Sequence, residues 1–236
     1  MLKIYGWKKS RASRCMWVLE ELGLTYEQVP LNPHAGETRN PEYLALNPSG
    51  KIPTLVHDGF VLRESVAINW YLAANFPGSL LPRDPQQQAL VQQWTAWAVT
   101  ELEPPMVAIM REGRRAPDKI DAERIVAARA EVHALVDKVL EPALAGGGYL
   151  LKGQEFTLAD LNVACVAAVM PVFEITLEQH PGVADWMRRC YARPAWARAA
   201  AGLKGPTGPA QCELRPRIEI EDRQFQGTPP RLWLRP

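Results

Sequence analysis

The segment NPSGKIPTL, residues 47–55, places a proline at the entrance to a buried strand. Proline has no amide hydrogen for a strand ladder, so a sheet tolerates it at a strand's first residue but rarely gains from it. We predict a cis Ile52–Pro53 bond, a minority state that needs a structural reason. Such a bond would turn the amide and carbonyl of Ile52 outward as a free strand edge. An extended peptide could pair with that edge as an added strand.

A helix start follows further along the chain, where ESVAI places Glu64 and Ser65 at a helix N-terminus. Unpaired backbone amides and the helix dipole favour a carboxylate at such a position. A free strand edge and an anion cradle close together predict that the ligand is a short, acidic, extended peptide.

The first third of the chain alternates between strand and helix patterns. Cys15, Val18, Leu19 and Leu22 recur at helical spacing, and Gly23 marks the end of that helix. The predicted order is strand 2–5, helix 15–24, strand 26–31, a short helix in PEYLALN, a hairpin within 52–65 that turns at Asp58–Gly59, and helix 64–77. A strand-helix-strand unit this compact implies a right-handed crossover and a parallel strand pair.

The remainder reads as helical, with no convincing strand between 85 and 201. Pro104 and Pro105 should break or kink the first long helix, and Thr157 with Asp160 has the layout of a capping box. Predicted helical segments lie at 86–103, 118–144, 157–175, 182–192 and 194–201. From Gly205 the chain holds six of its 21 prolines, which excludes a long helix there. We predict an α/β domain over 1–80, an all-α domain over 86–203 and a proline-rich tail over 204–236.

Composition limits the class of protein. A chain of 236 residues suits two ordinary domains, and its net charge of +1 gives no reason to expect a nucleic-acid or membrane partner. The four cysteines are scattered, which predicts reduced thiols, a cytoplasmic protein and no structural metal. The longest apolar run, 163–173, is too short to span a bilayer, and the N-terminus lacks the apolar core of a signal peptide.

Three stretches carry a family resemblance: SRASRCMWVLEELGLTYE, GETRNPEYLALNPSGKIPTL and ESVAINWYLA. Together they resemble the glutathione-binding domain of the cytosolic glutathione S-transferases, of a serine-using, bacterial-like type. FTLAD, which opens a central helix, is similar to a motif in that family's second domain. The resemblance covers residues 1 to about 203. It implies a thioredoxin-like domain followed by a helical domain, glutathione as co-substrate, no metal and a homodimer.

The resemblance also implies binding roles. Pro53 corresponds to the family's cis-proline, and the backbone of Ile52 would pair with the cysteinyl part of glutathione. Glu64 would reach the γ-glutamyl amino group and Ser65 its carboxylate. Two basic residues, Arg39 and Lys51, would neutralise the glycyl carboxylate. On the residues alone, this pair could equally be solvated surface charges, and Glu64 with Ser65 could be only a helix start.

Ser10 is the residue that the resemblance assigns to the glutathione sulfur. A hydrogen bond to an anion is worth about 1.5–3 kcal/mol, enough to make the thiolate the major form near neutral pH. Arg11 and Arg14 could add positive potential. The register leaves alternatives open: Ser13, Arg11 or a backbone amide could contact the sulfur, or the motif could place the residue at Lys9 or Ala12. Both serines could instead serve as helix caps.

The second domain offers an apolar wall. Trp94 and Trp97, with Met106, Met110 and Arg111, could line a pocket for the second substrate or a dimer contact, and the two tryptophans could equally be ordinary core. Cys15 is interpreted as a small buried hydrophobe.

We expect an enzyme that conjugates the glutathione thiolate to a small hydrophobic electrophile. A glutathione-dependent isomerase or peroxidase on the same fold is the first alternative. An isomerase for dicarboxylic substrates should show several basic residues in the cleft, whereas the candidate wall offers mainly Trp and Met. The second alternative is a non-catalytic interaction module, which has no need for Ser10, Pro53, Glu64 and Ser65 together.

Overall fold

The computed structural model describes residues 1–200. The predicted tail over 204–236 lies outside the described residues, as do Cys212, Phe225 and Trp233.

The N-terminal part is a four-stranded sheet with helices against it. The strands are β1 (Leu2–Tyr5), β2 (Tyr26–Val29), β3 (Thr54–His57) and β4 (Phe60–Arg63), in the order β2-β1-β3-β4. The β1–β2 pair is parallel, as predicted, with Leu2 opposite Tyr26, and the other pairs are antiparallel. Three helices belong to this part: α1 (Ala12–Glu21), α2 (Pro41–Leu46) and α3 (Ser65–Asn75). The thioredoxin-like architecture is confirmed.

Helix α1 begins three residues before the predicted start at Cys15 and ends at Glu21. The periodic apolar residues mark only the buried face, so the pattern missed the first turn, which carries Ser13 and Arg14. Gly23 follows the helix with φ +63°, the left-handed conformation that glycine adopts most readily.

The C-terminal part is all-helical within the described residues. Its helices are α4 (Pro85–Trp97), α5 (Glu103–Glu112), α6 (Ala122–Leu135), α7 (Glu141–Leu144), α8 (Leu158–Ala167), α9 (Pro181–Tyr191) and α10 (Pro194–Ala199). A π-helical turn over Ala98–Leu102 joins α4 to α5, so the chain stays helical through Pro104 and Pro105. Such turns often occur where a proline interrupts the regular bonding pattern.

The predicted helical segment 157–175 is shorter than its apolar run suggested. Helix α8 ends at Ala167, and a short 3-10 turn covers Pro171–Phe173. Pro171 has no amide hydrogen to donate to the carbonyl of Ala167, four residues earlier, so the regular helix ends at Ala167 although the sequence remains apolar. The predicted capping box is present: the Thr157 amide donates to Asp160 over 3.0 Å, and the Thr157 hydroxyl accepts from the Ala159 amide.

The two parts share one core, centred on α1. Trp17 is fully buried and its ring lies 5.8 Å from Phe156 and 4.7 Å from Trp196, both in the helical part. At the same interface the Arg193 guanidinium donates twice to the carboxylate of Glu21. Helix α1 is therefore tied to the helical part through Trp17 and Glu21.

Candidate active site

The structure contains the predicted free strand edge at Ile52 (the Ile52 ledge), a stretch of main chain just before β3. The Ile52–Pro53 bond is cis, which confirms the prediction. Among residues 1–200, neither the amide nor the carbonyl of Ile52 has a hydrogen-bond partner, because β3 begins only at Thr54. The Ile52 residue is half-buried while Pro53 is buried beneath it. A ligand with an extended backbone can therefore pair with Ile52 from the open side.

Gly6 brings the start of α1 against this ledge. A Cβ atom added at Gly6 would lie 2.5 Å from the Cβ of Ala12 and 3.6 Å from the Cβ of Ile52. No side chain fits in that space, and the φ of +154° is also one that glycine tolerates best. The loop after β1, which carries Ser10, thus lies beside the ledge.

A buried polar cluster, which was not predicted from the sequence, holds the turn before the ledge. The Tyr43 hydroxyl and the Asn47 side-chain amide both donate to the carbonyl of Lys51. The same two side chains contact the hydroxyl of Thr54, at 2.9 and 3.2 Å. The Asn and Thr of the NPSGKIPT stretch were the available signal, but only the fold brings Tyr43 from α2 to meet them.

Glu64 and Ser65 stand where predicted, at the start of α3. Glu64 has φ +67°, a conformation that is strained for a residue with a Cβ atom, and it is exposed. Ser65 is buried, and its carbonyl accepts a weak hydrogen bond from the Cys15 thiol of α1 over 3.6 Å. The start of α3 is thereby tied to α1.

Arg39 and Lys51 are brought together by the turn at Gly50. A Cβ atom at Gly50 would lie 2.7 Å from the Arg39 Nη1 atom, so the guanidinium packs directly against this turn. Both basic side chains are exposed. They provide two cations at one end of the Ile52 ledge.

Ser10 lies in the loop between β1 and α1, where it already has partners. Its hydroxyl donates to the Trp7 carbonyl over 2.6 Å and accepts from the Ala12 amide over 3.1 Å. The Ser13 hydroxyl donates to the Ser10 carbonyl over 2.9 Å. The N-cap position of α1 is Arg11, without a side-chain cap bond, so neither serine is the helix cap.

A charge cluster joins the first turn of α1 to the helical part. The Arg11 Nε and Arg14 Nη2 atoms donate to the same oxygen of Glu103, at 2.8 and 2.7 Å. Burial by itself would raise the pKa of Glu103, but the charges and hydrogen bonds of Arg14 and Arg11 outweigh it and hold the pKa below its ordinary value. The carboxylate is charged at neutral pH, so the three side chains together carry one net positive charge. Residue spacing does not predict that Glu103 belongs here, because it lies far from Arg11 and Arg14 in the chain.

The predicted apolar wall is only partly available. Met106 is fully buried, while Trp94, Trp97 and Met110 are half-buried and Arg111 is exposed. The two indole rings form an edge-to-face pair at 5.5 Å. Met106 is therefore a core residue, and the half-buried members keep surface that a second substrate could contact.

The three cysteines within residues 1–200 have no features of a reactive thiol. Cys15, Cys165 and Cys190 are free thiols, and burial raises the pKa of Cys165 to about 12 and those of the other two further. Thiols of this kind stay protonated and unreactive. The interpretation of Cys15 as a small buried hydrophobe is confirmed.

No cluster of three or more potential ligands that could hold a metal ion occurs within residues 1–200. Over the same range, every helix is too short or too polar to cross a membrane.

Known proteins resemble this chain along most of its length. The family model described as the N-terminal domain of glutathione S-transferase matches residues 1–74, and the one described as the C-terminal domain matches residues 100–194. Glutathione S-transferase 4 of Zea mays is 34% identical over 205 residues, which cover 84% of this chain and 92% of the relative.

Solved structures agree with this assignment. The glutathione transferase F7 of Populus trichocarpa has a TM-score of 0.76 at 30% identity, over 85% of this chain and 98% of that one. The theta class glutathione S-transferase of Xanthomonas axonopodis pv. citri, solved with glutathione bound, has a TM-score of 0.77 at 30% identity, over 85% and 97% of the two chains.

Proposed function

This chain belongs to the cytosolic glutathione S-transferase family and uses glutathione as its co-substrate, and we propose that it conjugates the glutathione thiolate to small hydrophobic electrophiles. The observation that carries the proposal is the Ile52 main chain, which lies beside the start of α1 without a partner within residues 1–200. Glutathione would lie along it in the extended form, with its cysteinyl part paired to Ile52.

The ends of glutathione would be held by charge. At the γ-glutamyl end, Glu64 would accept from the amino group and Ser65 would donate to the carboxylate. At the other end, Arg39 and Lys51 would neutralise the glycyl carboxylate. This assignment is supported by the positions of the two pairs, at the start of α3 and at the Gly50 turn that leads into the ledge.

At the sulfur, Ser10 would exchange its hydrogen bond to the Trp7 carbonyl for one to the thiolate. A charged acceptor binds a hydroxyl proton more strongly than a neutral carbonyl does, so the exchange favours ionisation of the bound thiol. The electrophile would lie between the domains, 1–80 and 86–203, against the half-buried rings of Trp94 and Trp97.

The experiment is a pair of assays with glutathione, one with chlorodinitrobenzene and one with cumene hydroperoxide. We expect a higher rate with chlorodinitrobenzene, which reports conjugation, than with cumene hydroperoxide, which reports peroxide reduction. Isothermal titration should also show glutathione binding that Ser65→Ala weakens by about tenfold through loss of a hydrogen bond to a carboxylate. Ser79 is exposed, so Ser79→Ala serves as the matched control for Ser65→Ala. A wild-type chain that does not bind glutathione would overturn the proposal in favour of an interaction module.

We also propose a homodimer in the cytoplasm. The edge strand β4 exposes the ring of Phe60 to 50%, beside Tyr71 of α3 at 5.3 Å, which forms an aromatic patch suited to a second copy. Sedimentation should give a dimer for the wild type and a monomer for Phe60→Glu, whereas Leu90→Glu, at an exposed position of α4, should stay dimeric. Three free thiols in the described part are consistent with a reducing compartment.

A further inference from the structure

The two serine hydroxyls at the start of α1 already donate their protons to carbonyl groups of the protein. Ser10 donates its proton to the Trp7 carbonyl at 2.6 Å, and Ser13 donates its proton to the Ser10 carbonyl at 2.9 Å. Each hydroxyl has one proton, so either must give up a protein bond to reach a thiolate. A second hydrogen-bond donor without a partner in the protein could contact the thiolate without breaking such a bond.

Arg11, the residue after Ser10, has such donors. Its Nε atom is bound to Glu103, and its terminal Nη groups have no hydrogen-bond partner among residues 1–200. The side chain is 52% exposed, so the guanidinium is accessible from solvent. It is also permanently charged.

Glu103 fixes the direction of this cation. Its carboxylate is only 14% exposed, and the same oxygen that accepts from Arg11 accepts from the buried Arg14. Because Arg14 and the α5 helix both anchor Glu103, the Nε atom of Arg11 is held at a fixed point while its Nη groups stay unpaired.

Within residues 1–200, the titratable group of α8 that faces the cluster does not cancel its charge. Cys165 of α8 faces Arg14 and Glu103, but burial raises its pKa to about 12, so the thiol stays neutral. From the loop, Lys9 lies over the Trp7 ring at 5.7 Å. Among residues 1–200, Arg11, Arg14 and Glu103 together leave one net positive charge at the start of α1.

The start of α1, which carries this cation, lies close to the Ile52 ledge. Ala12, the next residue after Arg11, approaches Gly6 so closely that only a glycine fits between it and the Ile52 side chain. On the proposed function, the cysteinyl part of glutathione pairs with Ile52, so its sulfur would lie near this turn.

We propose that Arg11 is a second thiolate-stabilising residue and that Glu103, from the helical domain, is the positioning residue that holds it. This inference rests on the proposed function. It gives the second domain a part in activating glutathione as well as in binding the electrophile.

The test is the pKa of the bound glutathione thiol, followed by the ultraviolet absorbance of the thiolate, with the glutathione Kd measured in parallel. Arg11→Gln should raise that pKa and reduce the thiolate fraction at neutral pH by at least about threefold, as expected for loss of a nearby positive charge. Arg11→Lys should restore part of the effect. The Kd should change less than the thiolate fraction.

The two Glu103 variants separate position from charge. Glu103→Ala should raise the thiol pKa, as Arg11→Gln does, because Arg11 loses its anchor. In Glu103→Gln the amide oxygen can still accept from the Arg11 Nε atom while the negative charge is gone, so the thiol pKa should fall. Arg198→Gln is the matched control, since Arg198 is 55% exposed and also pairs with a partly buried glutamate, Glu20, but at the far end of α1. Arg198→Gln should leave the thiol pKa and the glutathione Kd unchanged.

An unchanged thiol pKa in Arg11→Gln would overturn the inference. A fall of the thiol pKa in both Glu103→Ala and Glu103→Gln would also overturn it, because Glu103 would then act only as a negative charge that repels the thiolate. Failure of the wild-type chain to bind glutathione is a different result, because it refutes the proposed function itself.

Discussion

Ser10 has a hydroxyl that is bonded on both sides before any ligand arrives. We expect Ser10→Ala to lower the rate of conjugation at saturating glutathione by at least about tenfold, because a hydrogen bond to an anion is worth about 1.5–3 kcal/mol. Glutathione affinity should stay nearly intact, since on the proposed function Ile52, Glu64 and Ser65 supply most of the binding.

Steady-state kinetics and calorimetry would measure the two effects separately. Ser13→Ala is the control, because its hydroxyl lies one helical turn away. Full activity in Ser10→Ala together with a large loss in Ser13→Ala would transfer the role to Ser13.

Glu103 makes a prediction about acid stability. Its pKa is lowered in the folded chain because Arg14 and Arg11 outweigh the effect of burial. The pKa of Glu103 is lower in the folded chain than in the unfolded chain, where it is about 4.3, so the charged carboxylate stabilises the fold at a pH above that unfolded-state pKa. This stabilisation is lost as the pH falls through the folded pKa. The free energy of unfolding in urea should therefore differ between wild type and Glu103→Gln at pH 7, and the difference should shrink in acid. A difference that does not vary with pH would show that the ion pairs contribute nothing.

Helix α8 depends on its first turn. Thr157 and Asp160 are buried, and Asp160 also accepts hydrogen bonds from the Leu150 amide and the Trp186 indole. We expect Thr157→Ala to cost about 0.5–2 kcal/mol, the usual value of a lost cap. Asp160→Ala should cost more, because each buried donor left without a partner adds about 1–3 kcal/mol.

Chemical denaturation measures both costs. Thr157→Ser, which keeps the hydroxyl, is the conservative control. Equal losses in Thr157→Ala and Asp160→Ala would mean that the bonds from Leu150 and Trp186 do not matter.

The elements themselves could be predicted where their cause is local. The hairpin at Asp58–Gly59 and the cap at Thr157 were both predictable, because each needs only a few neighbouring residues. The early start of α1 and the end of α8 at Ala167 were not, because hydrophobic spacing marks a buried face rather than a helix end.

The whole molecule is joined through Trp17. Its ring is buried between Phe156 and Trp196 of the helical domain, so neither domain can keep this surface from water alone. We expect Trp17→Ala to cost about 3–5 kcal/mol, as for other buried aromatic residues.

The wild type should also unfold in one transition. Tryptophan fluorescence and circular dichroism would then give the same midpoint. As a control, Trp97→Ala removes a half-buried ring within the helical domain and should cost less. Two separate midpoints in the wild type would contradict the shared core.

The sequence by itself determined the architecture, the glutathione family, the cis bond at Pro53 and the placement of Glu64 and Ser65 at a helix start. The strands, turns and helix starts depend on short stretches whose backbone preferences act locally, whereas the cis bond was inferred from a proline at the entrance to a buried strand and the family from several motifs in order. Only the tertiary structure decided the partners of Ser10, the support of the ledge by Tyr43 and the pairing of Arg11 with Glu103. Those contacts join residues far apart in the chain, and the spacing of residues along a sequence carries no information about which distant side chains meet.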